Sequence, residues 1–255
     1  MLNKTRKFIH TITVPLITFI LFLITWELIV ELFNISSLIL PVPTDVLAKL
    51  YEQAPYLFKQ SSITLLESVF GFLLGCSMAI GLAIMFQYSK TLNKAFYPYA
   101  IAIKAIPLVA LAPVVVLWFG TGLASKIILA AIISFFPILV NTMQGLNSTE
   151  PEAIDLLETL SATKTDILFK LRFPAALPFI FSGMKISSTF AVVGAVVAEF
   201  VGANSGIGYV IKSSSYYLDT DLTFAAIFMA ASTGLLFFGV IAQLEKKVIF
   251  WNSEK

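Results

Sequence analysis

One cysteine, Cys76, and one histidine, His10, exclude a disulfide framework in this 255-residue chain and argue against a metal site. Charge is scarce as well. Asp, Glu, Lys and Arg make up 13% of the residues, and a formal net charge of +2 gives no sign of a nucleic-acid partner. No G-x-x-x-x-G-K-[ST] sequence occurs, so the chain cannot hold ATP in a P-loop of its own. Gly206-Ile-Gly208 is not a nucleotide loop either, because no strand precedes it and no βαβ unit fits here. Internal repeats, low-complexity tracts and a soluble domain are all missing. Two alternative functions lose their footing on these absences. An ion-coupled secondary transporter needs its own coupling-ion site and usually carries repeats, and a membrane-embedded enzyme needs a catalytic constellation in or near its spans.

Apolar residues make up what is there. They form 58% of the chain, and a mean hydropathy of +0.90 leaves too little polar surface to cover a soluble globule of this size. The chain reads as an all-α integral membrane protein. Six apolar segments, near 12–33, 63–86, 97–118, 126–146, 178–201 and 224–244, are each long enough at roughly 20 residues to cross the hydrocarbon as helices. The first follows Lys4-Thr-Arg-Lys7, is too long for a signal-peptide h-region and has no small-residue cleavage site, so it reads as a retained span. Pro107, Pro113, Pro137 and Lys104 make the third and fourth spans the least regular. With the N-terminus inside, the cytoplasmic segments hold eleven basic residues, namely Lys4, Arg6, Lys7, Lys90, Lys94, Lys164, Lys170, Arg172, Lys246, Lys247 and Lys255. The external ones hold four, Lys49, Lys59, Lys126 and Lys212. The positive-inside rule then puts both termini and the 147–177 loop in the cytoplasm.

That loop is the longest polar segment, and it lies between two membrane-length runs. Thr149 with Glu152 fits a capping box, Pro151 fits a first turn, and a helix over about 151–160 would carry Ala153, Leu156, Leu157 and Leu160 beside Glu152, Asp155 and Glu158. Thr163 with Asp166 starts a second helix carrying Ile167, Leu168 and Leu171, expected to end before Pro174. A sharp bend at Ser161-Ala162-Thr163 separates the two. Such helices could lie on lipid headgroups, but an acidic first helix is repelled by an anionic leaflet. A polar pair of this kind is suited to a partner outside the membrane.

Ionisable residues inside spans each cost at least ~2.5 kcal/mol at mid-bilayer unless partnered or hydrated. Lys104, followed by the helix-breaking Pro107, is the sharpest candidate to line a path. Glu67 and Glu199 are candidate path or gate residues, with an interfacial position as the plain alternative, and Lys185 is balanced between a path role and snorkelling. Gly71-x-x-x-Gly75 permits close helix approach, within one subunit in preference to a dimer seam.

Several blocks, in order along nearly the whole chain, carry a resemblance. They are Leu40-Pro-Val-Pro-Thr-Asp-Val-Leu47, Lys104-Ala-Ile-Pro-Leu-Val-Ala-Leu-Ala-Pro113, Trp118-Phe-Gly-Thr-Gly-Leu-Ala-Ser-Lys126, Phe135-Phe-Pro-Ile-Leu-Val-Asn141, Phe173-Pro-Ala-Ala-Leu-Pro178 and Val197-Ala-Glu-Phe-Val-Gly-Ala-Asn-Ser-Gly-Ile-Gly-Tyr209. Together they resemble permease subunits of ATP-binding cassette importers of the nitrate, sulfonate and taurine type. The 147–177 loop resembles that family's Glu-Ala-Ala coupling motif in part. Asp155 stands at the Glu position, Leu156 and Leu157 at the Ala positions and Ser161 at the bend glycine.

The resemblance implies a type I importer permease fold of six transmembrane helices. It implies one permease domain over 1–255, with a core of about 63–245 and a coupling loop at 147–177. Asp155, Leu156, Leu157, Leu160, Ser161, Ala162 and Thr163 would touch the ATPase. Partners would be an ATP-binding cassette ATPase dimer that uses ATP and Mg, a second permease subunit, identical or homologous, an extracytoplasmic substrate-binding protein and membrane lipid. No cofactor would be bound by this chain, and its place would be the bacterial cytoplasmic membrane. Substrates of such proteins include nitrate, sulfonates, taurine, thiamine-pyrimidine precursors and riboflavin. Glu67, where sulfonate-type members often carry Arg, favours the pyrimidine or flavin precursors.

Overall fold

The computed structural model describes residues 2–89, 91–92, 94–95, 98 and 107–250, and among these the surroundings of side chains from residue 13 onward other than Leu108. Lys104 and most of the expected 97–107 stretch lie outside the described residues. Among those described, every regular element is helical. Five helices are long and apolar enough to cross a membrane, within Thr13–Leu32, Ala54–Tyr88, Leu123–Leu146, Lys164–Gly202 and Thr220–Val248, and Val109–Phe119 is a shorter apolar one. The protein is a multi-pass membrane protein.

The helices with described bounds are, in order, α1 (Leu2–Leu32), α2 (Pro43–Glu52), α3 (Ala54–Tyr88), α4 (Leu108–Phe119), α5 (Leu123–Leu146), α6 (Pro151–Thr159), α7 (Lys164–Ile167), α8 (Phe173–Gly202), α9 (Ile207–Tyr216) and α10 (Thr220–Val248). The expected spans 63–86, 126–146, 178–201 and 224–244 lie within α3, α5, α8 and α10, 12–33 ends one residue past α1, and of 97–118 the described residues show the α4 part. α3 starts earlier than the expected residue 63 because Gln60 and Ser61 are buried and bonded inside the fold, so polarity there does not signal a loop. The ten-residue helices α2 and α9, too short to register as spans, pack Val46, Ile207 and Val210 against Leu57 of α3 and Ala225, Ala226 and Met229 of α10. They form a cap at one end of the bundle, called the cap end below; the 147–177 loop lies at the other, the loop end.

α3, α5 and α8 form the centre, and small residues are what let them meet. A Cβ added at Gly71 would lie 2.4 Å from the Ala130 Cβ, one at Gly75 would lie 2.6 Å from the Ala131 carbonyl, and one at Gly194 would lie 2.7 Å from the Ala130 Cα. The Gly71/Gly75 face is therefore used within the chain, against α5. Around these contacts Phe72, Ala79, Leu139, Ile180 and Ala191 build the main core. α4 lays Ala112 and Val115 on Leu129, Ile133 and Ala198. α1 is peripheral. Only 6% of its apolar window is buried, and it touches the bundle through Trp26, whose ring lies 5.7 Å from Phe224, and through Glu27, which accepts from the Thr44 hydroxyl at 2.7 Å. Its remaining apolar surface suits lipid.

Gly71→Leu is expected to force α3 off α5 at a cost of about 1–3 kcal/mol or more, read as a lower thermal unfolding temperature in detergent. Gly81→Ala is the control, since nothing lies within 4 Å of a Cβ there. Equal stability of the two variants would contradict the close approach.

Candidate functional site

At the loop end, Pro151 opens α6 as expected, but the Thr149–Glu152 capping box does not form. Glu150 is the N-cap and makes no side-chain cap bond, and the buried Thr149 hydroxyl has no partner among the described residues. The cause is Pro151, which holds the residue before it extended (φ −61°, ψ 133°) and so moves the helix start one residue past Thr149. α6 ends in a Schellman motif. The Ala162 N–H donates to the Leu157 carbonyl at 3.0 Å and the Ser161 N–H to the Glu158 carbonyl at 2.9 Å. Ser161 sits at φ 59°, the left-handed conformation such a turn requires and glycine usually supplies. The sharp bend is thus made with a Cβ present.

Thr163 then caps α7 as read from sequence. Its backbone N–H donates to Asp166 at 3.1 Å, the Asp166 N–H donates back to the Thr163 hydroxyl at 3.2 Å, and Lys170 pairs with Asp166 at 2.5 Å. The expected stop before Pro174 is absent. Instead Leu168–Arg172 form a π-helical turn, in which the Phe173 N–H reaches back to the Leu168 carbonyl, and α7 runs through it into α8. Pro174 lies in the first turn of α8, where the switch to the wider ladder removes the usual penalty for a missing N–H.

These geometries leave α6 projecting. None of its residues is buried, Leu156 is 62% exposed and Leu160 70% exposed, and Asp155 and Glu158 lie exposed beside them. Leu157 and Ala162 are half-buried, while Ser161 and Thr163 are exposed. An acidic helix that keeps large apolar side chains in the open has a face available to a partner.

The cap end holds a second constellation. Glu67 and Glu199 are 3% and 0% exposed, so both lie inside the protein at the cap end. Their carboxyl groups meet between α3 and α8, with the charge of Lys126 acting on both. Glu199 accepts from the Thr64 hydroxyl at 2.7 Å and from the Gly208 N–H at 2.5 Å, the Ile207 N–H donates to the Thr64 hydroxyl at 2.8 Å, and the Gly206 N–H donates to Gln60 Oε1 at 2.8 Å. Together Glu199, Thr64 and Gln60 satisfy three orphan amides at the start of α9. Gly206, at φ 98°, admits the carboxylate, since a Cβ there would lie 2.1 Å from Glu199 Oε1. Lys126, expected in an external loop, is 6% exposed in the first turn of α5 and donates to the carbonyls of Thr121 at 2.7 Å and Gly122 at 3.0 Å. Pro107 is the exposed N-cap of α4. Lys185 pairs with Glu245, near the loop end of α10, at 2.6 Å.

Residues 71–250 match the family of binding-protein-dependent transport system inner membrane components. The chain belongs to that family. Its ATP-binding cassette permease relatives align over nearly their whole lengths. This permease is 32% identical over 242 residues to the formylaminopyrimidine transport permease protein of Halalkalibacterium halodurans, covering 94% of this chain and 96% of that one. It is 33% identical over 239 residues to the riboflavin transport system permease protein of Chloroflexus aurantiacus, covering 93% and 89%. Identity to the taurine transport system permease protein of Escherichia coli is 27% over 250 residues, covering 95% and 91%. The permease fold of the family accounts for the all-helical architecture.

Proposed function

We propose that this permease is one of two membrane subunits, identical or homologous, that form the substrate path of an ATP-driven importer working by alternating access. The observation that carries the reading is α6, an acidic helix with Leu156 and Leu160 in the open, set at a Schellman bend and joined through α7 and the π-helical turn to the central helix α8. Asp155, Leu156, Leu157, Leu160, Ser161, Ala162 and Thr163 form its contact with an ATPase dimer, which hydrolyses ATP with Mg; this chain binds no cofactor. The loop end faces the cytoplasm with both termini, in the cytoplasmic membrane of a bacterium. The cap end faces a substrate-binding protein. ATP-driven closure of the ATPases pushes the two loops and rocks the helices as rigid bodies. Lys104 and Pro107 line the path, and Glu67 and Glu199 hold the cap-end gate.

The substrate is a small polar organic molecule or anion; the relatives named for a pyrimidine, for riboflavin and for aliphatic sulfonates stand at 32%, 33% and 31% identity, so the lean towards the pyrimidine or flavin precursors rests on Glu67 and not on identity. Retention of one such molecule by the binding protein that supplies this permease checks that assignment.

Orientation is tested by labelling. Thr165 and Asn204 are both exposed, at opposite ends. In a Cys76→Ser background, Thr165→Cys is expected to react with a membrane-impermeant thiol reagent only from the cytoplasmic side, and Asn204→Cys only from outside. Reversed labelling would overturn the reading, because α6 would then lie beyond reach of any ATPase.

A further inference from the structure

The loop end contains a short polar chain that the contact surface does not use. Arg172 Nη1 donates to Gln87 Oε1 at 2.7 Å, Gln87 Nε2 donates to Asn147 Oδ1 at 2.8 Å, and Asn147 Nδ2 donates to the Met143 carbonyl at 2.9 Å. Alongside it, the Tyr88 hydroxyl donates to Thr165 at 3.3 Å. The bonds run in one direction from the last residue of the π-helical turn, through the end of α3, to the C-cap of α5. An amide side chain is the right middle member, since it accepts on one side and donates on the other.

Packing here is thin. A cavity of about 380 Å³ opens between the end of α3 and the loop, lined by Gln87, Tyr88, Glu158, Lys164, Ile167 and Arg172. Polar bonds span the gap that apolar contact leaves. The loop itself has a compliant point, because the π-helical turn interrupts the regular ladder between α7 and α8. A push on α6 could be absorbed there unless the turn is held.

We propose that Arg172, Gln87 and Asn147 are positioning residues that brace the π-helical turn against α3 and α5. Displacement of the α6–α7 loop then moves the central helices instead of flexing the turn. The brace rests on the coupling reading above and adds to it a route by which the loop grips α3, 85 residues away in sequence at the Arg172–Gln87 bond. Gln87 and Asn147 do not touch the ATPase on this account.

The test uses the complete complex in proteoliposomes, with Cys76→Ser and Asn204→Cys as a reporter at the cap end. The probe is Mg-ATP with orthovanadate, read as a change in thiol-labelling rate. The parent complex is expected to change its rate on adding the probe. Gln87→Met keeps the length of the side chain and removes both bonds. It is expected to retain the ATPase subunits, the unfolding temperature and ATP hydrolysis to within about twofold, while its labelling response falls at least about fivefold. Asn147→Ala, which cuts the other end, is expected to behave alike. The exchange Gln87→Arg with Arg172→Gln is expected to restore the response, because an arginine at 87 can donate to both neighbours.

A Gln87→Met complex that responds like its parent would overturn the brace. So would one that loses its ATPase, which would make Gln87 a docking residue, and so would failure of the exchange to restore a response that Gln87→Met had lost, which would place the effect in local packing. Absence of any ATPase from the parent complex is a different result: it removes the coupling reading, and the brace with it.

Discussion

Glu199→Ala is expected to destabilise the permease by about 2–6 kcal/mol, from two buried donors left unsatisfied at roughly 1–3 kcal/mol each. The carboxylate sits at 0% exposure and takes bonds from the Thr64 hydroxyl and the Gly208 N–H. Its loss leaves both donors and the Glu67 carboxyl without it, in an interior where each unsatisfied polar group costs roughly 1–3 kcal/mol. The chain between α8 and α9 would lose its anchor, so the unfolding temperature should drop by on the order of 10 °C, using about 2–4 °C per kcal/mol for a chain of this size. Glu199→Gln keeps the size and one acceptor and should fall between the two. Gly206→Ala should resemble Glu199→Ala, since the added Cβ and the carboxylate compete for one space. An unfolding temperature for Glu199→Ala within about 2 °C of wild type would show that the cap end is held by packing and not by this network.

Leu160→Asp has a different expected outcome, normal folding with loss of function. Leu160 is 70% exposed and closes α6 as its C-cap residue, so an aspartate there meets only water in the isolated permease. Surface changes of this kind cost the fold within about 0.5 kcal/mol. Against an ATPase the same residue would bury an unpaired charge where an apolar anchor belonged, a change worth 2 kcal/mol or more at interface hot spots, or roughly thirtyfold in affinity. Expression and unfolding temperature should stay at wild-type values while ATPase retention falls by at least that factor and transport stops. Wild-type retention with transport intact would remove α6 from the interface.

The loop shows how far local rules reach. Thr163 and Asp166 were readable because a capping box needs only residues three apart. The Thr149–Glu152 pair has the same spacing but fails, as Pro151 sets the backbone of Glu150 and shifts the cap. Pro174 misled in the opposite sense. A π-helical turn has no sequence signal of comparable strength, so the helix reads as stopped where it continues. The bend at Ser161 was visible, and the structure adds that serine takes the left-handed conformation itself.

Tertiary assembly was less legible. The stripe Gln60, Thr64 and Glu67 recurs at helical spacing on one face of α3, and it could have been recognised as a polar face seeking a partner. Its partners, Glu199 at the end of α8 and the amides of Gly206 and Ile207, are 135 to 146 residues away in sequence. Lys126 was placed by counting charges per loop, which cannot distinguish a loop lysine from one folded back on the carbonyls of Thr121 and Gly122. Gly71 and Gly75 were read correctly as intrachain contacts, because a short-spaced pair of small residues needs only one facing helix.

The central claim is that α6 is where an ATPase grips this permease, and cross-linking tests it most directly. A photo-reactive residue in place of Leu156, which is 62% exposed, is introduced into the full chain in its own membrane. The account predicts a covalent adduct with a nucleotide-binding subunit, lost when Leu160→Asp is added, and no such adduct from a probe at Asn204. Adducts with lipid alone at Leu156, with an ATPase captured from the cap end or not at all, would contradict it.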